Sequence, residues 1–279
     1  MATLIKDKNT EMILYDTQEL AEVLKKPTLR GRDDSSQDRS NSGWYGTESF
    51  EESEKLRQYG DKTSYERIKK LKLTADKIMA EFNQTKLKYE NDVVGFQPVV
   101  ANAIMGLPKS MVNTKKQNIK SKIVNIVLNT SMTGGTPKEY LEVLGAVLLS
   151  GIEALELTGV GVNLYVGKVS AYGSSRRNKS GFMVQLKRAD EKLNTYKLSY
   201  YLGNASFLRR TGFRVHEVES RIKDITNDGY GSGAVEYQSD LEDFVKKHIP
   251  NSMYFSLANG YAHMEDIEKY LNDFKIKVN

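Results

Sequence analysis

Cysteine is missing from all 279 residues. That excludes disulfides, thiolate nucleophiles and thiolate metal sites together. Long apolar runs are missing too. The most apolar stretch, residues 143–149, is broken by Gly145 and flanked by Glu142 and Glu153, and is too short to cross a bilayer. The opening MATLIKDKNTEMILYD is charged throughout and lacks the basic-then-apolar order of a secretory leader. A cytoplasmic protein without a membrane partner is therefore expected. The three histidines, His216, His248 and His263, stand in no HExxH or other metal-ligand spacing. There is no GxSxG elbow and no GxxxxGK[ST] loop. With these signatures absent, an enzyme is the least supported class, and no resident cofactor is expected.

What is present is an ordinary globular mixture, 39% hydrophobic and 28% charged. It is long enough for one large domain, or one domain with an appended helical region. The 41 basic and 36 acidic residues leave a net charge of +5 and a pI near 9.0. The excess mildly favours an anionic partner. A mixed solvated surface is the simpler account, because nucleic-acid binders cluster their basic residues more densely.

Three regions follow from composition. Residues 1–43 read as a tail and flexible linker: PTLRGRDDSSQDRSNSG has almost no large apolar group with which to bury a core. A short helix near TQELAEVLKK could pack or detach. Residues 44–118 read as a helical region and a packed connector. Ser49 and Glu52 form a capping-box signature for a short helix that stops at Gly60. Trp44, the only tryptophan, either staples this segment to the body or offers a base-stacking face. A longer helix over residues 64–89 has an apolar stripe of Tyr65, Ile68, Leu71, Ala75, Met79 and Phe82. Its lysines are interrupted by acids and read as a solvated face. Residues 91–113, apolar but broken by Gly and Pro, read as an extended connector packed on the main domain.

Residues 119–279 read as an α/β domain. KIVNIVLNT is a buried central strand. Thr136, Pro137 and Glu139 open a helix that closes near Gly159. GVNLYVGKVSAY and GFMVQLKRA form an antiparallel hairpin, and DEKLNTYKLSYYLGN a helix. FRVHEVES reads as a fourth strand, YQSDLEDFVKKHI as a helix, SMYFSLANG as a fifth strand and MEDIEKYLNDF as a closing helix. The expected fold is a three-layer α/β structure. Its mostly parallel sheet has about five strands and an antiparallel hairpin edge, with an N-terminal helical region added.

The order strand, helix, hairpin, helix, strand, helix, strand, helix resembles the von Willebrand factor A-like fold over about residues 119–276. In that family the loop after the first strand carries Asp-x-Ser-x-Ser and binds a divalent cation at the carboxyl edge of the sheet. Here Asn129, Ser131 and Thr133 occupy those positions, so the resemblance implies a degenerate metal site with an amide in place of the carboxylate. Mg²⁺ at Asn129, Ser131 and Thr133 would gain oxygen ligands but no neutralising charge. Residues 133–136 also lead into a helix N-terminus, where backbone N–H groups could meet an anion. Alternatively, Gly134 and Gly135 merely turn the chain. Because open α/β sheets bind ligands at this edge, Asn129, Ser131, Thr133, Gly134 and Gly135 are the candidate partner-binding residues.

WYGTESFEES, GLPKSM and SFLRRTGFRVHE are also similar to a group of phage-encoded proteins of unassigned role. That resemblance implies host cytoplasm or virion. The resulting expectation is a non-enzymatic phage binding or assembly protein that contacts a protein partner in a larger complex. One alternative is a single-strand nucleic-acid-binding factor for phage replication or transcription. Its grip would come from Arg176, Arg177 and Lys179 at the hairpin tip, Arg209 and Arg210 before the fourth strand, and Trp44. Another alternative is a virion structural component.

Overall fold

The structure is a computed structural model that describes residues 2–83, 89–94, 97–114, 123–137, 139–157, 159–234 and 240–257. The chain opens with a hairpin, β1 (Thr3–Asp7) and β2 (Thr10–Asp16). Four helices follow: α1 (Thr17–Leu24), α2 (Ser42–Tyr45), α3 (Phe50–Tyr59) and α4 (Lys62–Asn83). A small sheet comes next, formed by β3 (Tyr89–Asp92), β4 (Gln97–Pro98) and β5 (Met111–Thr114), with α5 (Val100–Ile104) between the last two. The α/β part then runs through β6 (Ile123–Asn129), α6 (Glu139–Leu157), β7 (Gly161–Tyr172) and β8 (Asn178–Lys187). It continues with α7 (Thr195–Gly203), α8 (Gly212–Val218), α9 (Leu241–His248) and β9 (Ser252–Ser256).

Six strands make the main sheet, in the order β1-β2-β8-β7-β6-β9. The pairs β2/β8, β7/β6 and β6/β9 are parallel, while β1/β2 and β8/β7 are antiparallel. The sheet is therefore mixed. Its alternating side chains feed two cores, as the two-residue strand period requires. Ile126, Leu128, Val162, Leu164, Phe182 and Val184 pack with α1, α6, α7 and α8. Val127, Val169, Met183 and Tyr254 pack with α9 on the other face.

Local signals account for several elements. Ser49 Oγ accepts the Glu52 amide at 3.1 Å to start α3, and Gly60 ends it at φ +94°. Asp16 caps α1 with a full capping box. On α6 the acidic residues Glu142 and Glu153 meet basic residues of α4, which packs alongside. Glu142 is buried and accepts Arg67 at 2.8 Å, and Lys72 joins Asp76 to Glu153. Gly145 permits a close approach of α6 to α7: a Cβ there would sit 2.4 Å from the Leu202 carbonyl oxygen.

Four expectations are corrected. Residues 1–43 are not a tail and loose linker: β2 pairs along all of its length with β8, and β1 adds a further strand. Linker residue Arg32 donates to the carbonyls of His216 and Glu219, satisfying the open end of α8. The β7/β8 hairpin is not an edge, because β2 flanks β8. FRVHEVES is not a strand: residues 212–218 are helical and wholly buried, and they continue a π-helical turn at Phe207–Thr211. Reading its apolar–polar alternation as a strand assumes that polar means exposed, and here the polar positions are inside. The connector around residues 91–113 is not packed away either; Val93, Val94, Val100, Ile104, Met105 and Leu107 are exposed. The expected closing helix MEDIEKYLNDF, and with it His263, lies outside the described residues.

Candidate functional site

The loop that follows β6 divides into a buried half and an exposed half. Asn129 ends β6 between Gly167 of β7 and Ser256 of β9. Its amide extends the sheet beyond the last ladder bond. Oδ1 accepts the Val169 amide at 3.0 Å and the Ser131 amide at 3.1 Å. Nδ2 donates to the Val169 carbonyl at 3.0 Å and to the Tyr254 hydroxyl at 3.1 Å. Ser131 Oγ donates to the same Val169 carbonyl at 2.8 Å. Both side chains are buried. This explains the amide at a position where a carboxylate was the expected ligand: only an amide both donates to and accepts from the Val169 peptide group.

That arrangement does not fit a hard divalent cation. The Asn129 and Ser131 oxygens already serve the sheet, and neither carries charge to offset the ion. Thr133 is exposed, but its hydroxyl is paired with Thr136 Oγ1 at 2.8 Å. Among the described residues no group of three or more His, Asp or Glu side chains is placed to hold a metal.

The exposed half is residues 133–135, where Gly134 and Gly135 have open space at their Cβ positions. It is held from behind. Trp44 Nε1 donates to the Gly134 carbonyl at 3.0 Å. The Arg209 guanidinium stacks 4.4 Å from the Trp44 ring and donates to the Trp44 carbonyl at 2.6 Å. It reaches the carbonyls of Gly134 and Thr136 at 3.4 Å. Trp44 thus staples α2 to the loop, and Arg209 secures the staple. Residues that the sequence distributes over two separate readings meet in one place.

Two neighbouring arginines, Arg210 and Arg214, are spent inside. Arg210, fully buried, donates to Thr47 Oγ1 and to the carbonyls of Ser36, Asp38 and Thr47 at 2.7–3.0 Å. Its guanidinium lies 4.5 Å from the Tyr45 ring centre. Burial lowers the pKa of Arg209 and of Arg210 from the ordinary value. Arg214 binds the Lys26 carbonyl, Thr28, Asp34 and Glu217. The expectation of exposed arginines at 209 and 210 is thereby corrected. At the hairpin tip, Arg176 is paired with Asp228 at 2.7 Å, and Lys179 is buried and paired with Asp240 at 2.6 Å. Arg177 alone of the proposed grip is exposed at its tip. Tyr200 and Tyr201 are buried in the core, so they offer no stacking face.

Behind the loop lies a polar interior that sequence reasoning missed. Lys168, on the α8 side of β7, donates to the Tyr230 carbonyl at 2.6 Å, and burial pulls its ammonium down to about 7. His216 is fully buried, and neither ring nitrogen has a hydrogen-bond partner. Burial, and then the charges of Lys168 and Arg32, hold its imidazole well below the ordinary range, so the ring is neutral. Glu217 accepts Ser36 and Tyr230, while its burial raises its carboxyl above the usual value. A lysine inside an apolar strand, GVNLYVGKVSAY, was the one sequence signal for this cluster.

A family model described as Domain of unknown function (DUF7192) matches residues 4–278. No curated protein and no solved structure matches the chain.

Proposed function

The chain belongs to the DUF7192 family over nearly its whole length, and because that description assigns no activity, we propose a function from the geometry of the carboxyl edge. The protein is a non-enzymatic, phage-encoded binding protein. It presents residues 133–135 at the end of β6 to a protein partner within a larger complex. The observation that carries this is the backing of the loop: an open, glycine-containing surface is immobilised by Trp44 and Arg209. A loop held in place before binding loses less conformational entropy when a partner arrives.

The α/β part is read as von Willebrand factor A-like. In support, β6 lies between two parallel neighbours, α6 leads to β7 on one side of it, β8 returns antiparallel, and β9 adds in parallel on the other side. Against that template the cation loop has become a structural one, which favours contact through backbone and surface shape. The single-strand nucleic-acid reading retains little support, since Arg209, Arg210 and Lys179 are buried.

A photocrosslinking residue at Gly135, with the protein produced during infection, tests the reading. A discrete protein adduct should form at position 135 and be absent when the same label replaces the exposed Leu157. Trp44→Ala should reduce the adduct. Identical patterns from both positions would remove the carboxyl edge as the binding surface.

A further inference from the structure

Three tyrosines gather where α3 turns into α4. Tyr59 ends α3 and is 75% exposed. Tyr65 stands near the start of α4, half-buried, and Tyr196 in the first turn of α7, 40% exposed. The turn glycine brings them together. A Cβ on Gly60 would lie 2.5 Å from the Tyr196 ring, so that ring rests on bare backbone next to Tyr59. Tyr65 meets the same ring at a steep angle, with centres 5.3 Å apart. Tyr196 is thereby fixed in place while it still reaches solvent. A single exposed aromatic side chain is ordinary on a protein surface. Three around one turn form a surface of their own.

The charge around that surface is positive. The helix period puts Lys62 one turn before Tyr65 and Lys69 one turn after it on the same face. Lys69 Nζ lies 5.8 Å from the centre of the Tyr65 ring. Lys62, Lys69, Lys70 and Lys197 are exposed. Among the described residues these four form no ion pair, whereas Arg57, Arg67 and Lys72 beside them pair with Glu54, Glu142 and Asp76. Glu66 lies among Lys62, Lys69 and Lys70 on the helix surface and balances one of them. Asp61 is buried and its carboxylate serves the Thr63 and Ser64 amides. Farther out the charges cancel: Lys55 stands one turn from Glu52, and Lys192 next to Glu191. Lysines remain in excess at the tyrosines even after both acids are counted.

We infer that this corner binds single-stranded nucleic acid. Bases stack on Tyr59 and Tyr196, and the phosphates between them meet Lys62, Lys69 and Lys197. Such binding needs rings that are open to solvent and cations that no carboxylate has claimed, and both are present here. It reads no sequence, because every base has a face to stack. An acidic protein segment would answer the lysines but bring no ring to cover Tyr59. A duplex keeps its base faces in its own stack and would likewise use the lysines alone. The surface shares no residue with the hairpin tip or with the Trp44 and Arg209 cluster, whose basic groups are paired or buried. It is also separate from the carboxyl-edge loop, so the two readings stand or fall independently.

The test is fluorescence anisotropy of a labelled oligothymidylate titrated with the full chain at low and moderate salt. Binding should weaken as salt rises. An abasic strand of the same length, and a duplex, should each bind at least about fivefold more weakly, because neither offers free base faces. Tyr59→Ala should lower affinity for the oligothymidylate by roughly fivefold or more. Lys62→Glu and, separately, Lys69→Glu should lower it too, and each should take roughly 0.7 from the slope of log affinity against log salt. Lys246→Glu, exposed on α9, should change neither. All four sites are exposed, so circular dichroism melts should coincide with the unaltered protein. No binding at low salt, an abasic strand that binds as tightly as oligothymidylate, unchanged affinity in Tyr59→Ala, or an equal loss in Lys246→Glu overturns the proposal.

Discussion

Replacing Asn129 by Asp would restore the carboxylate that the von Willebrand factor A resemblance places there, and the structure predicts that it harms the protein. The amide spans two strands through four bonds of 3.0–3.1 Å. A carboxylate keeps the two it accepts and loses the two it donates. The Val169 carbonyl retains Ser131 as a donor, and the Tyr254 hydroxyl can rotate to donate instead. What remains is an acidic oxygen facing a carbonyl in a buried position. An unmatched buried polar group costs about 1–3 kcal/mol, and burying the charge adds to it, so a total of about 2–4 kcal/mol is expected. Urea titration measures this directly. For a protein of this size each kcal/mol corresponds to roughly 2–4 °C in Tm. The pH dependence supplies a second reading. Burial raises the introduced carboxyl above its unfolded value, so the folded variant binds more protons than the unfolded one. The deficit should therefore shrink as pH falls through the folded pKa and widen above it. Mg²⁺ should not rescue the variant. A variant as stable as the parent, or one stabilised selectively by millimolar Mg²⁺, would refute the argument that this side chain belongs to the sheet.

Other perturbations follow from the same interior. Arg210→Lys cannot reproduce four donated bonds in a fork geometry, so about 2–4 kcal/mol should be lost, and limited proteolysis should begin to cut within residues 36–47. Gly145→Ala places a Cβ 2.4 Å from the Leu202 carbonyl, and a thermal melt should show an overpacking cost of about 1–3 kcal/mol or more. Lys168 has a folded pKa of about 7 against an ordinary 10.5, so between these values the unfolded state binds more protons and this residue makes stability rise with pH. Urea midpoints at neutral and mildly alkaline pH should lose that rise in Lys168→Met. Glu219 is pushed up by burial but held down more strongly by Arg221 and Tyr15, to about 2. Its contribution is present above the ordinary 4.5 and lost as pH falls toward 2, so acid unfolding of Glu219→Gln should be flatter across that window.

The α/β character, the β7/β8 hairpin and helices α3, α6, α7 and α9 were legible because their signals are local. Ser49 and Glu52 start α3 and Gly60 stops it. Asn194 caps α7 through the Lys197 amide at 3.0 Å. The candidate loop was legible as a position at the end of β6, but the direction of its side chains was not. Asn129 and Ser131 turn inward because Val169 and Tyr254, on two neighbouring strands, present the complementary groups.

The arginines show the division most clearly. From the sequence alone, SFLRRTGFRVHE is a basic segment, and a basic segment is ordinarily a surface. Inside the folded chain, Arg210 meets the carbonyls of Ser36 and Asp38 and the Thr47 hydroxyl, contributed from 163 to 174 residues away. Segment 27–43 looked unable to order itself because it has almost no large apolar side chains to bury. It is held instead by polar bonds: the Ser36 and Asp38 carbonyls accept from Arg210, Thr28 and Asp34 accept from Arg214, and Arg32 donates to the end of α8. Caps, turns and strand runs follow from residues within a few positions of one another, and sequence alone determined those. Whether a charge is inside or outside depends on which distant peptide groups arrive to compensate its desolvation, and that was decided only by the tertiary structure.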